Sequence, residues 1–244
     1  MKVIAVIPAR YDSKRFPGKP IAKICGKPLI QWVWEKSRRV KSIDRTIIAT
    51  DDKRIFNTAK SFGAEVMLTS KKCKSGTDRV AEIAKKIKCD IVVNIQGDEP
   101  LISPVTIEKT VKALMSDKSA VVSTPVCRFH TKDELNNPHT AKVVVDNNNH
   151  ALYFSRSVIP RPLFTVRNLC LGDFYKHIGI YVFRKNFLLK FVKLPASRLE
   201  NIERLEQLRI LENGYQIKTV LVNDDTIPVD RPCDIKKVIR RLVN

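Results

Sequence analysis

Residues 3–7 (Val-Ile-Ala-Val-Ile) form an unbroken apolar run, the pattern of a strand covered on both faces. A polar stretch with Pro and Gly follows. Leu29, Ile30, Val33, Trp34, Ser37 and Val40 then recur at helical spacing behind Pro28, a residue suited to a first turn. Residues 46–50 read as a second strand and 51–62 as a helix stopped by Gly63. Residues 65–68, 76–88 and 90–95 read as strand, helix and strand. Strands alternating with helices of this length predict βαβ units, hence an α/β fold with an open, mainly parallel twisted sheet and helices on both faces.

The second half is less regular. Strands are predicted at 120–126, 141–146 and 177–183, with a turn at Asn147-Asn148-Asn149. A helix over 200–213 would end at Gly214, followed by a strand at 216–222 and a closing helix at 232–242. No repeat, low-complexity tract or linker divides the chain. It reads as a single domain over 1–244, with an inserted lobe in the half from 126 onward.

The 244 residues are 43% hydrophobic, which excludes collagen-like and disordered chains, and no segment is long and apolar enough to span a membrane. The start lacks the apolar run of a signal peptide. The six cysteines contain no CxxC and no His/Cys cluster, so a reduced, cytoplasmic protein without zinc is expected. The net charge of +20 first suggests nucleic acid, anionic lipid or an acidic substrate. Residues 1–45 hold 12 Lys and Arg against 3 Asp and Glu; the rest of the excess is spread along the chain, with few aromatics to stack on bases. The charge therefore reads as a solvated surface around a few placed cations, with no nucleic-acid and no membrane partner.

Three segments can carry chemistry. The loop after the first strand, residues 8–20, holds Arg10, Lys14, Arg15 and Lys19 with one acid, Asp12. Ligands of open parallel sheets bind beyond the carboxyl ends of the strands, where such cations can surround a polyphosphate. The loop is neither GxGxxG nor a P-loop, which disfavours dinucleotide oxidoreductases and P-loop NTPases. Residues 94–100 (Asn-Ile-Gln-Gly-Asp-Glu-Pro) put Asp98 at the end of a buried strand, where it could ligate a hard cation such as magnesium or merely form a turn. Glu99 could stand behind it or be exposed. In 227–232, Asp230 reads on spacing alone as a helix N-cap rather than a ligand.

These segments also carry a resemblance. Val-Ile-Pro-Ala-Arg-Tyr with Arg-Phe-Pro-Gly-Lys-Pro resembles the nucleotide-binding signature of sugar nucleotidyltransferases. The pattern narrows with Ala-Thr-Asp-Asp at 49–52, Ser-Gly-Thr-Asp-Arg at 75–79, Val-Asn-Ile-Gln-Gly-Asp-Glu-Pro-Leu-Ile at 93–102 and Tyr-Phe-Ser-Arg at 153–156. It continues with Lys-His-Ile-Gly-Ile-Tyr at 176–181, Ile-Glu-Arg-Leu-Glu-Gln-Leu-Arg at 202–209 and Val-Asp-Arg-Pro at 229–232. In order, these resemble the 3-deoxy-manno-octulosonate (KDO) cytidylyltransferase family. It departs from that pattern at Lys72-Cys73-Lys74, across 165–174, and at Arg231 and Cys233.

The resemblance implies a Rossmann-like nucleotidyltransferase fold with a small sugar-binding and dimerisation lobe, residues 1–125 mainly holding nucleotide and 126–244 mainly sugar. It implies transfer of CMP from CTP to KDO, with release of pyrophosphate, for lipopolysaccharide core synthesis. Arg10, Arg15 and Lys19, with Pro8 and Ala9, would hold the phosphates; Ser75, Gly76 and Arg79 would frame the cytidine. Asp98 would ligate Mg²⁺ against the triphosphate and Asp230 would complete a second metal position near the sugar, and Arg10, Lys19, Asp98 and Asp230 would form the catalytic set. Gln96, Arg156, His177, Glu203 and Gln207 would face the sugar acid, Arg156 as a bidentate fork for its carboxylate. Read without the resemblance, His177 is a structural histidine, and Glu203, Glu206 and Gln207 are a polar helix face with Leu205, Leu208 and Leu211 buried; Glu203 and Gln207 are four apart and so on one side of it. The resemblance also implies a homodimer. Alternatives are another acidic ulosonate sugar, such as an amino-substituted KDO or a nine-carbon sialic-acid-like sugar, a non-catalytic paralogue, and a basic nucleic-acid-binding protein.

Overall fold

A computed structural model describes residues 1–13, 15–161, 170–223 and 226–243. Lys14 and residues 165–169 of the divergent segment lie outside the described residues. The first half runs β1 (Val3–Ala9), β2 (Lys23–Ile24), β3 (Lys27–Pro28), α1 (Leu29–Ser37), β4 (Arg45–Thr50), α2 (Lys53–Ser61), β5 (Glu65–Leu68), α3 (Gly76–Lys86), β6 (Ile91–Asn94) and α4 (Pro104–Ser116). The second half runs β7 (Val122–Arg128), α5 (Lys132–Asn136), β8 (Lys142–Val145), β9 (Ala151–Ser155), β10 (Tyr175–His177), β11 (Tyr181–Arg184), α6 (Lys185–Phe191), α7 (Arg198–Glu203), α8 (Leu208–Glu212), β12 (Ile217–Leu221) and α9 (Asp234–Val243).

Alternation along the strands builds two cores. Val3, Ala5 and Ile7 of β1 face one side with α1, α2, α4 and α9, while Ile4 and Val6 face the other with α3, α6 and α8. Strands β5, β4, β1 and β6 pair in parallel, so the ends of β1, β4 and β6 share one edge. Beyond β6 the same sheet continues antiparallel through β11 and β7, and β12 pairs in parallel with the far side of β7. Strands β10, β8 and β9 extend it into a lobe whose fully buried Lys142 donates to the carbonyls of Asn137, Thr140 and Arg156 at 2.8–2.9 Å.

The elements expected in the first half form where the apolar pattern places them, with β2, β3 and α4 added. Two expectations in the second half are corrected. The strand over 177–183 is two strands, because the chain turns at 178–180, where the Ile180 amide donates to the Ile178 carbonyl at 2.7 Å. The helix over 200–213 breaks at Arg204, which adopts φ 56°. The Arg156 guanidinium draws out the carbonyls of Glu203 (2.9 Å) and Arg204 (3.3 Å) there, while Leu205 turns into the core. Glu203 and Gln207 therefore do not share one helix face.

Gly18 opens the turn at Lys19–Ile21 with φ 71° and donates to the Tyr11 carbonyl, and a Cβ there would lie 3.2 Å from the Tyr11 ring. Gly18→Ala combines left-handed strain with that contact, so we expect a loss of about 1–2 kcal/mol in urea denaturation. An unchanged midpoint would show that the loop relaxes without cost.

Candidate active site

Three segments distant in sequence meet at the carboxyl edge of the parallel strands. Gly97 passes so close to β1 that a Cβ would sit 3.0 Å from the Pro8 carbonyl, which sets residues 96–98 beside the basic loop. The Asp98 carbonyl accepts from the Val229 amide at 2.9 Å, which brings in Asp230. The Lys19 ammonium lies 2.6 Å from Asp98 and 3.8 Å from Asp230, and Arg15 donates to Asp230 at 3.1 Å. Together they border a cleft of about 220 Å³ lined by Pro8, Ala9, Arg10, Ser75, Gly76 and Gln96 among others. Arg10 is exposed there and makes no hydrogen bond or ion pair among the described residues, so its fork is available to an anion.

The opposite wall is the start of α3. Ser75 caps that helix, accepting from the Asp78 amide at 3.1 Å while Asp78 accepts from the Ser75 amide at 3.0 Å. A Cβ on Gly76 would meet the Pro8 ring at 3.4 Å, so a bare backbone lets the helix start close in. Arg79 lines the cleft, yet its buried guanidinium is engaged by Asp51 at 2.9 Å and by Thr69. It braces the wall.

Of the five residues expected to face the sugar, Gln96 lines this cleft, whereas Arg156, Glu203 and His177 are held by bonds elsewhere and Gln207 is buried. The Arg156 guanidinium donates to the carbonyls of Glu203, Arg204, Pro138 and His139, so it does not present the expected fork. The Glu203 carboxylate accepts from Ser155 (2.7 Å) and from the Arg156 amide (2.9 Å). His177 is packed against Phe154 and Tyr181, and this enclosure lowers its pKa to about 3, so the ring is neutral. Its Nε2 lies 2.8 Å from the Thr124 hydroxyl, which donates to the Ile180 carbonyl at 2.7 Å. One hydroxyl has one proton, so Nε2 carries the hydrogen on the ring. Gln207 is buried, and its amide nitrogen has no partner among the described residues.

Two acids left outside the expected site residues stand close to the cleft. Glu206 accepts from Thr77 at 2.5 Å, and burial raises its pKa. Thr77 in turn accepts from Asn94, whose side-chain oxygen accepts from Gln96, both at 3.4 Å, so weak polar contacts connect the cleft with the break between α7 and α8. Apolar neighbours in LEQL could have marked Glu206 as a half-buried acid. Glu99, read as either supporting or exposed, is buried.

The sequence profile of the cytidylyltransferase family matches residues 4–219. The chain belongs to the cytidylyltransferase family. A 3-deoxy-manno-octulosonate cytidylyltransferase of Geotalea uraniireducens is 44% identical over 252 residues, covering 99% of both chains. One from Parabacteroides distasonis is 47% identical, covering 100% of this chain and 99% of its own. The solved structure of a CMP:2-keto-3-deoxy-manno-octonic acid synthetase complexed with CTP superposes with a TM-score of 0.92 at 39% identity, covering 100% of this chain and 99% of that one. This cytidylyltransferase thus shares the mixed, helix-flanked sheet of that enzyme throughout.

Burial, with Asp98 adding repulsion, raises the Glu99 pKa to about 8, and one of its oxygens has no partner among the described residues. Between the ordinary carboxyl value and about 8, the folded cytidylyltransferase keeps a proton that the unfolded chain loses. Stability then falls with rising pH, by about 1.4 kcal/mol per unit at most. Glu99→Gln should remove that slope, so in metal-free buffer the variant's urea midpoint gains on wild type from pH 5 to about 8. Parallel profiles would mean that Glu99 folds ionised.

Proposed function

We propose that this cytidylyltransferase transfers CMP from CTP to KDO with Mg²⁺ as cofactor. The observation that carries the reading is the convergence of Asp98 and Asp230 on one cation, the Lys19 ammonium, at the mouth of a cleft where Arg10 has no counter-ion among the described residues. Two carboxylates that close on one ammonium also suit one magnesium ion, which takes one or two protein carboxylates and fills its remaining positions with phosphate and water. Among the described residues no group of three or more His, Cys, Asp and Glu forms a metal site, so an all-protein cage does not compete with that arrangement. When bound, Mg²⁺ would withdraw charge from the α-phosphate and lower the pKa of a coordinated hydroxyl.

The chain's own residues supply the rest. Arg10, Arg15 and Lys19 neutralise the triphosphate, Lys19 exchanging its carboxylates for phosphate oxygens. The start of α3 frames the cytidine, with Ser75 holding the first turn and Gly76 allowing close approach. The anomeric oxygen of KDO forms the new bond to the α-phosphorus, the bond from that phosphorus to the bridging oxygen breaks, and pyrophosphate leaves. The hydroxyl proton passes to solvent. Gln96 and Gln207 read the sugar hydroxyls; the unpartnered amide of buried Gln207 supports its part, since such a donor lacks compensation until a ligand accepts from it. Glu203, Arg156 and His177 position the sugar side through the contacts described above.

Pyrophosphate release is the direct test. We expect it with CTP, KDO and Mg²⁺ together, and background release when any one is omitted. In a panel with amino-substituted KDO and a nine-carbon ulosonate, KDO should give the highest kcat/KM; another sugar in first place would reassign the substrate. Asp98→Asn should lower kcat by about 100-fold or more while the thermal midpoint stays within a few degrees. Near-normal turnover would remove Asp98 from the metal site.

A further inference from the structure

Charge on this chain is sorted by face. Helices α1, α2, α4 and α9, which cover one side of the sheet, carry ten Lys and Arg against three Asp and Glu. Helices α3, α6, α7 and α8 on the other side carry seven against five. Arg38, Arg39 and Lys41 extend the first side beyond α1, and Lys23 lies on β2, against which α9 packs; all four are exposed.

The acids on that side are paired with cations of the same side: Glu35 with Lys27 at 2.9 Å, and Glu108 with Lys112 and Asp234 with Lys237 at 3.2 Å. In α9, Ile235, Val238, Ile239 and Leu242 turn toward the core and leave Lys236, Lys237, Arg240 and Arg241 exposed. Of these, Lys236, Arg240 and Arg241 have no acidic partner among the described residues. Two apolar side chains of α4, Val105 and Met115, are exposed in the same layer.

We propose that this helical face docks on an anionic lipid bilayer. No described helix is long and apolar enough to cross a membrane, so the contact is one of adsorption: phospholipid headgroups meet the cations, and Val105 and Met115 enter the interface shallowly. A bilayer fits better than nucleic acid. Trp34, Phe56 and Phe62 of this layer pack against the core instead of standing out to stack on bases, and Arg38 covers the Trp34 ring at 4.9 Å. The face flanks the sheet while the cleft opens at its strand ends, so docking leaves substrate access unobstructed. The proposal replaces the expectation of no membrane partner, which rested on the lack of a spanning segment and on charge counted along the chain.

The test is co-sedimentation with phosphatidylcholine vesicles with or without phosphatidylglycerol. Binding is expected only with the anionic lipid and should disappear at about 0.5 M salt. K236E/R240E/R241E should weaken it by about tenfold or more, and K236Q/R240Q/R241Q by several-fold. K85E/K190E/K193E makes the same change in net charge on the opposite side, and should stay within about twofold of wild type. Each variant should keep its circular dichroism spectrum and its turnover in vesicle-free solution. Equal loss in the two charge-reversed triples, or no binding of wild type, would overturn the proposal. So would tighter binding to duplex DNA or RNA at the same salt through Lys236, Arg240 and Arg241, which would make the face a nucleic-acid site.

Discussion

The ion pair between Lys19 and Asp98 joins parts of the chain 79 residues apart, and Asp230 stands against the same ammonium. Its partners come from the turn after β1 and the end of β6, with Asp230 fixed ahead of α9. No one of these segments sets the cleft alone. The pair is sheltered, with Lys19 14% and Asp98 28% exposed in their side chains, so it is stronger than an open surface bridge. The same shelter makes an unmatched charge costly there. An arriving nucleotide must exchange one set of counter-charges for another, and the geometry provides for this by placing cations and carboxylates at the same mouth.

The parallel half of the sheet was legible because strands buried on both faces need an apolar centre, and residues 3–7, 47–49 and 91–93 have that signature. The break at Arg204 was not legible. Leu205, Leu208 and Leu211 keep a helical rhythm across it, and the competing bonds come from Arg156, 48 residues away. A local pattern cannot register a guanidinium that arrives from another strand. The face-wise sorting of charge was hidden for a related reason: helices that alternate along the chain fall on opposite sides of the sheet.

The site divides in the same way. Arg10, Lys19 and Asp98 could be named from their segments, Asp230 only from the family resemblance, and they meet. Arg156 and Glu203 were also named, but residue type did not reveal that both are tied into the backbone of the lobe. Arg156 is bound to four carbonyls, and the Glu203 carboxylate to a hydroxyl and an amide. Such side chains orient whatever lies beside them with little freedom of their own. Glu99 shows the opposite case, a charged residue type held where its charge is unfavourable.

The proton on Nε2 of His177 fixes the chemical character of the other ring nitrogen. With one nitrogen donating to Thr124 and the ring neutral, Nδ1 is left as a lone-pair acceptor. It would welcome a hydroxyl or an ammonium and repel a carboxylate. A sugar set against this ring must turn its acid group elsewhere, and an amine in place of a hydroxyl would satisfy Nδ1 equally well. Discrimination between a hydroxylated and an amino-substituted sugar would then fall to a donor, the part proposed above for the buried amide of Gln207.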